Sequence, residues 1–564
     1  MRLSIRESYA GKHVLLTGAS GFLGKVWLTQ MLQNDSGASK YYILLRRKAT
    51  RPALARFERI VNTSPAFRPL HEKYGRDLAR MIRERIEVID GDISQEGLGL
   101  DEETAARLHR TIDLVVNCAG LVDFDPDLRD ALTTNVDGTI RVADFVEACD
   151  RAALLHISTC YVAGTRDGRN DEVLIPNYTP NGEPFDAAAE LAAARERIAE
   201  IAAEFETVEK DSEIDREARE QLKARGRSPD NPKLVATLAR RIKREALKNA
   251  MINEGQERAQ RWGWTNIYTY SKSLAESMLV PRLGKFKFSL LRPAIVESAL
   301  TYPFPGWNQG FNTCGPLSYM LGGWLHELPM RKGNPFDIIP VDYVGNAMTI
   351  AGAALLSGCH ETVYQCGTSD KNVLTIDRAC DLTALAHRKH LRRKGDTVVD
   401  RLILARWDGV ETEVDHTFSV PNLRKVTQGF AKMMRELPRR WPNAIHRGAK
   451  RAAKRADEID DKLDTIERLI DLYLPFIHDH HFVFSTDNLL KYDVVEEPFR
   501  FDPTALDWRN YWINVHIPGL RKWCYPLFEG RTPDQYRPRH KFVLEDGNAP
   551  PACPASHDPQ GELR

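Results

Sequence analysis

An apolar run, HVLL (13–16), leads without a break into TGASGFLG (17–24), and this join restricts the fold more than any other part of the chain. Its glycines, Gly18, Gly21 and Gly24, stand three residues apart. Behind a strand, that spacing serves a tight turn, an open approach to a pyrophosphate, and close seating of the next helix on the sheet. A helix starting near Gly21 turns its unpaired N–H groups and positive dipole end toward the same point. Ser20, Phe22 and Leu23 lie between the glycines and belong to the same expected cradle. Strand, turn, helix and a bound dinucleotide are the expectation.

The next 140 or so residues repeat the alternation: YYILLRR, IEVIDGD, DLVVNCAG and ALLHIST, each set off by an amphipathic stretch. Nearly continuous Val, Ile and Leu is what a parallel sheet covered on both faces requires. The fold class is α/β, a Rossmann-type doubly wound parallel sheet. An NAD site offers a carboxylate to the ribose 2′-hydroxyl at the end of the second strand; here Arg46 and Arg47 stand there. Two guanidinium groups match a 2′-phosphate, so the cofactor expected is NADPH. Asp92, at the end of the third strand, is the candidate partner of the adenine amine.

Farther along come NCAG (117–120), NVDGT (135–139), HISTCYV (156–162) and YTYSK (268–272). Tyr268 and Lys272 are i and i+4, so a helix presents them on one face; Tyr270 is two positions from Lys272 and faces elsewhere. An ammonium beside a phenol is expected to lower the tyrosine from its usual pKa of about 10 and make it a proton donor and acceptor near neutrality. Thr159 closes the fifth strand at the carboxyl edge, where such sheets bind ligands. It is chosen over Ser158 as the hydroxyl on the substrate carbonyl, and Thr159, Tyr268 and Lys272 are the catalytic candidates.

From about 186 to 260 the composition turns to Ala, Glu, Arg and Lys, with Leu191, Ala194, Ile198, Ile201, Phe205 and Val208 at helical steps and a break at GRSPDNP (226–232). A helical hairpin inserted in the main body is expected. Sheet-like KFSLLRPAIV (287–296), FDIIPVDYV (336–344) and VYQCGTS follow, closing an NADPH-binding region over 1–380. Residues 381–545 read as a mainly α-helical C-terminal domain and 546–564 as a disordered tail. In that domain, 424–455 carry eleven Lys or Arg against Glu436 alone, with Phe430, Met433, Met434, Leu437, Trp441 and Ile445 interleaved. A solvated helix face and a contact for anionic membrane or ligand phosphates are both open there.

Composition narrows the partners. The net charge of +1 gives no global field for nucleic acid, so none is expected as a partner. The nine cysteines are scattered and form no C-x-x-C pair, which points away from a disulfide framework or metal site and toward a cytoplasmic location, with membrane association as the variant of that location. No apolar run reaches the roughly 18 to 20 residues of a spanning helix.

TGASGFLG, NCAGLVDFD, NVDGT, STCYV, YTYSK and RPAIVESAL resemble, in that order, the extended short-chain dehydrogenase/reductase superfamily. YTYSKSLAE, RPAIVESALTYPFPGW, DIIPVDYVGNAM and FRFDPTALDWRNYWINVHIPGLRKW are similar to the alcohol-forming fatty acyl-CoA reductases of bacterial type, and the resemblance spans about residues 10–525. It implies a long-chain acyl-CoA substrate, reduced with NADPH through an aldehyde to a fatty alcohol. It also implies cofactor contacts at Gly18, Gly21, Gly24, Arg46, Ile93, Ala119, Gly120, Pro293 and Ile295, with Asn135 holding the local helix or a proton relay. The 109 positions between Thr159 and Tyr268 depart from the family's shorter spacing because of the helical insert. The competing readings are a thioester reductase that stops at the aldehyde, a sugar-nucleotide epimerase, and a non-catalytic NADPH-binding protein. The segment 311–330, with Leu317, Met320, Leu321, Trp324 and Leu325, is a candidate acyl-chain lining, with ordinary core packing as the alternative. Chain-length preference and oligomeric state are left open.

Overall fold

The computed structural model describes residues 1–47, 52–310, 314–322, 329–394, 420–436 and 443–544. Seven strands make one parallel sheet: β1 (His13–Thr17), β2 (Lys40–Leu45), β3 (Ile86–Asp90), β4 (Leu114–Asn117), β5 (Ala153–Ile157), β6 (Phe288–Pro293) and β7 (Val363–Cys366). Their order is β7-β6-β5-β4-β1-β2-β3. Every residue of β4, β5, β6 and β7 is buried, as the uninterrupted apolar runs require. The order reverses between β1 and β4, which pair Thr17 with Asn117 at their carboxyl ends. That reversal opens the crevice in which doubly wound sheets bind ligands.

The helices that matter for the site are α1 (Phe22–Gln33), α2 (Ala53–Thr63), α3 (Ala187–Glu204), α4 (Val208–Ala224), α5 (Pro232–Arg261), α6 (Ile267–Leu279), α7 (Val341–Ser357), α8 (Val420–Arg435) and α9 (Asn443–Leu474). α1 rests on α7, where the Trp27 indole donates to Thr349 Oγ1 at 3.1 Å. The expected insert hairpin is three helices. Thr207 accepts from the Lys210 N–H and starts α4 afresh, so Val208 leaves the apolar stripe and is 77% exposed. Leu191 and Ala194 pack with Trp264, Ile267, Tyr270 and Leu274, fastening α3 to the back of α6. The α4–α5 hairpin keeps a small core of its own around Ile214, Leu222 and Val235.

Two further expectations change in detail. KFSLLRPAIV divides at Ala294: β6 stays in the main sheet, while Ile295–Glu297 pairs in parallel with Ile338–Pro340 outside it. FDIIPVDYV is therefore strand only at 338–340, and α7 begins at Val341 directly behind Pro340, where the fixed proline φ suits a helix cap.

The C-terminal region shares a core with the sheet. Arg2–Leu3 pairs with Asp493–Val494, and Gly168–Asn170 with Phe482–Phe484. The Tyr161 ring meets Phe476, Phe482 and Phe484 edge-on, and the Tyr511 hydroxyl donates to the Ser298 carbonyl at 2.7 Å. Glu297, Cys314 and His516 bring three buried groups within 4.8 Å of one another at this junction. The Glu297 carboxylate accepts from the Cys314 N–H and the Asn308 amide, while His516 Nδ1 meets Ser298 Oγ at 3.0 Å and ties the C-terminal region to this point.

In the basic stretch, Arg424 reaches Asp460, Asp464 and Glu467 of α9 and Arg435 reaches Asp457, so part of its charge is balanced within the fold. Leu437 and Trp441 of that stretch lie outside the described residues, as does the tail from 545, and nothing is described of the Ile445 side chain. Among the described residues no helix is long and apolar enough to cross a membrane.

Candidate functional site

The glycine turn is set by backbone against backbone. Gly18 has φ +76°, and a Cβ there would lie 2.5 Å from the Cys118 carbonyl carbon and 2.6 Å from the Ala119 nitrogen. At Gly24 a Cβ would overlap the Gly18 carbonyl oxygen. Gly21 donates its N–H to that same oxygen at 2.9 Å and caps α1, so the N–H groups of the first helical turn, at Phe22 and Leu23, have no intrahelical acceptor. Thr17 Oγ1 accepts from the Ala119 N–H at 3.1 Å and donates to Asn117 Oδ1 at 2.7 Å, clamping β1 to the end of β4. The result is an anion-ready turn at the reversal of strand order.

The two arginines behind β2 part company. Arg47 is exposed and pairs with Asp90 at 3.0 Å, a surface pair weak enough to yield to a phosphate. Arg46 has no side-chain partner among the described residues. Its carbonyl accepts from Arg56 Nη1 at 3.1 Å, while Arg56 Nη2 donates to Ser20 Oγ at 3.2 Å. Arg56, on the first turns of α2, was not among the sequence candidates. The signal was its place ten residues after Arg46, beyond a proline that starts a helix. Burial first, then the nearby Arg46 and Arg59 charges, lower its pKa from the usual arginine value, which marks a cluster of like charges. Asp92 holds its own loop, accepting from the Ser94 N–H at 2.9 Å, and Ile93 is buried against Gly138.

At the carboxyl end of β5, Thr159 and Tyr268 share a hydrogen bond, and Thr159 Oγ1 reaches the Pro293 carbonyl at 3.4 Å. Ser158 Oγ is buried without a partner. α6 is capped by Asn266 accepting from the Thr269 N–H at 2.9 Å and is pinned when the Tyr268 N–H donates to the Phe124 carbonyl at 3.0 Å. Its later turn is locked by Arg292, whose Nε and Nη2 reach the Glu276 carboxylate at 3.0 and 2.5 Å. Tyr270 turns the other way, donating to Glu190 at 2.7 Å among the insert's packing. One face of α6 thus holds the insert, and the opposite face carries Tyr268 and Lys272.

Lys272 differs from the expectation. Its ammonium donates to the Ile157 carbonyl at 2.7 Å, and burial pulls its pKa down to about 8. Tyr268 is pushed above its ordinary value, chiefly by desolvation and partly offset by the Thr159 hydrogen bond. The anticipated lowering of the phenol by the ammonium is not found: desolvation dominates at Tyr268, and Lys272 is not among the groups that shift it. Gly120 lies beside Lys272, where a Cβ would come 3.3 Å from Nζ, so the missing side chain leaves room over the amine. Asn135 donates to the Leu121 carbonyl at 3.1 Å and Ser271 Oγ at 2.9 Å and accepts from the Leu121 N–H at 2.8 Å, holding the chain past Gly120 open. Pro293 ends β6, Ile295 follows it at the same edge, and the Ile295 N–H donates to the Asp337 carbonyl at 3.1 Å.

Of the proposed acyl lining, Leu317, Met320 and Leu321 are buried in the main core, while Trp324 and Leu325 lie outside the described residues. What the geometry assembles is a nucleotide cradle and, at its far end, a hydroxyl, a phenol and an amine around one open edge.

The family model described as male sterility protein, an NAD-binding domain, matches residues 16–348. The chain is 28% identical over 524 residues to probable fatty acyl-CoA reductase 4 of Arabidopsis thaliana, covering 90% of this chain and 96% of the relative. It is 27% identical over 535 residues to the alcohol-forming fatty acyl-CoA reductase of Simmondsia chinensis, covering 92% and 98%. Among solved structures, a reductase domain of a non-ribosomal peptide synthetase from Mycobacterium tuberculosis aligns over 92% of each chain at 16% identity with a TM-score of 0.47.

Proposed function

From the premise that this chain belongs to the male sterility protein family of NAD-binding domains, we propose that it is an NADPH-dependent reductase of long-chain fatty acyl-CoA that releases CoA and carries the acyl group through an aldehyde to the alcohol. The observation that carries the reading is the joined pair Thr159 and Tyr268, with Lys272 one helical turn on, at the open end of the glycine cradle. Relatives similar over nearly the full chain length are named fatty acyl-CoA reductases, one of them alcohol-forming.

The residues present fit the cofactor. Gly18, Gly21, Gly24 and the open N–H groups of α1 suit a pyrophosphate, Arg46 and Arg56 a ribose 2′-phosphate, and the space kept by Gly120 a ribose beside Lys272. Bound there, NADPH supplies hydride to the thioester carbonyl carbon and, in a second round, to the aldehyde carbon. Thr159 and Tyr268 donate hydrogen bonds to the carbonyl oxygen as it gains charge. Desolvation keeps the Tyr268 phenol protonated, which suits it to give its proton to the alkoxide of the second step. Lys272, one helical turn on, holds the ribose. Each acyl-CoA then takes two NADPH and two protons and yields alcohol, CoA thiol and two NADP⁺.

The test counts NADPH oxidised per thiol released from palmitoyl-CoA, with NADH run in parallel. A ratio near two with a strong NADPH preference is the expected result. A ratio near one makes the aldehyde the product, and equal use of NADH removes the role given to Arg46 and Arg56.

A second expectation concerns pH. The Lys272 amine of the free protein loses its proton through about pH 8. If the charged form is the one that holds the ribose, NADPH affinity is level below that pH and falls above it, by roughly tenfold between pH 7 and 9. Fluorescence titration of NADPH across that range reads the effect, and a flat profile removes this role.

A further inference from the structure

α1, α2, the loop 307–310 and the run Trp523–Gln535 line a solvent-open cavity of about 500 Å³ whose wall carries Ser20, Lys25, Arg56 and Arg59. Lys25 is 6% exposed, and its described partner is the neutral side-chain oxygen of Gln309. It also sits in the first turn of α1, where the helix dipole already favours an anion and disfavours a cation. Arg56 donates to two neutral oxygens, and Arg59 has no ion pair among the described residues. One carboxylate, the exposed Asp534, lies on the same wall. Three cations gathered around a cavity without a close carboxylate partner, one of them deeply buried, incur desolvation and mutual repulsion that a bound anion offsets.

The cavity begins at Ser20 and shares Arg56 with the ribose end at Arg46, and its wall continues to Lys25, Arg59 and the run Trp523–Gln535. Its far wall is the loop Trp307–Gly310, the continuation of the chain that leaves Pro293 and Ile295 at the reacting edge. On the acyl-CoA reading, a substrate with its carbonyl at Tyr268 would have to carry its polar half along that chain to reach this wall. We propose that the cavity is the subsite for the ribose 3′-phosphate of the coenzyme A half of the thioester, with Lys25 and Arg59 as its charge partners. The proposal rests on the acyl-CoA reading above and adds to it a reason for preferring free CoA thioesters.

The full chain is titrated calorimetrically with adenosine 3′,5′-bisphosphate, adenosine 2′,5′-bisphosphate and 5′-AMP. KM is then measured for palmitoyl-CoA and palmitoyl-dephospho-CoA. The 3′,5′-bisphosphate is expected to bind at least about tenfold more tightly than 5′-AMP, the scale of one or two charge-assisted hydrogen bonds. Lys25→Met and Arg59→Met should each shrink that preference and bring the two KM values together. Arg59 is exposed, so its variant decides the matter should Lys25→Met fail to fold. The proposal is overturned if the 3′-phosphate confers no preference, or if the variants weaken only the 2′,5′-bisphosphate. A wild-type chain that binds the 3′,5′-bisphosphate but oxidises no NADPH with any thioester sinks the proposed function and leaves the subsite standing.

Discussion

Replacing Tyr268 with Phe is expected to cut turnover on palmitoyl-CoA by about 10²- to 10⁴-fold, the usual contribution of a placed general acid, while NADPH affinity stays within about twofold. The separation follows from where the hydroxyl points. It meets Thr159 at the end of β5, and the residue's backbone N–H is independently fixed to the Phe124 carbonyl. Removing one oxygen therefore leaves α6, its cap and the Lys272 amine in place. Single-turnover rates with the aldehyde supplied directly should show the same loss, because the alkoxide formed there depends on the same proton. A variant with undiminished aldehyde reduction would show that another group gives the proton.

Gly18→Ala is expected to abolish measurable NADPH binding, a loss of at least about 100-fold, and to lower the melting temperature. Two costs combine. A non-glycine residue in the left-handed region costs roughly 1–2 kcal/mol. The added carbon would also lie 2.5 and 2.6 Å from the Cys118 and Ala119 backbone, which are held by Thr17 and Asn117 and have no flexible side chain to yield. Gly11 separates the two costs, because its φ is +72° yet nothing lies within 4 Å of its would-be Cβ. Gly11→Ala should lose about 1 kcal/mol of stability and keep NADPH affinity. Equal behaviour of the two variants would mean that the close approach at Gly18 is unimportant. Differential scanning fluorimetry and NADPH titration on the same preparations decide it.

The parts of the site that could be read along the chain are those whose chemistry is local. Gly18, Gly21 and Gly24 announce the turn because only glycine tolerates such an approach, and Tyr268 and Lys272 announce a shared helix face because i and i+4 always share one. Tyr270 could be set aside for the same reason, and the structure puts it on Glu190. Arg56 could not be found that way, since its meeting with Ser20 joins the glycine turn to a helix residue 36 positions on. The division of labour between Arg46 and Arg47 likewise depended on Asp90 standing across from one of them. Val208 was misread because a helical stripe counts spacing and does not register the Thr207 cap that restarts the helix.

Sequence alone determined the layered parallel architecture, the glycine turn and the shared helix face of Tyr268 and Lys272, since backbone sterics, helical spacing and strand burial act over a few residues and leave their pattern in the string. Tertiary structure decided the charge states and the neighbours. Burial raised Tyr268 and pulled Lys272 down to about 8 while the Ile157 carbonyl occupied the ammonium, a balance set by groups from distant strands. It also brought Trp523–Gln535 over Lys25 and Arg59. Desolvation and long-range packing depend on what surrounds an atom in space, and a linear order of residues does not contain that information until the chain has closed on itself.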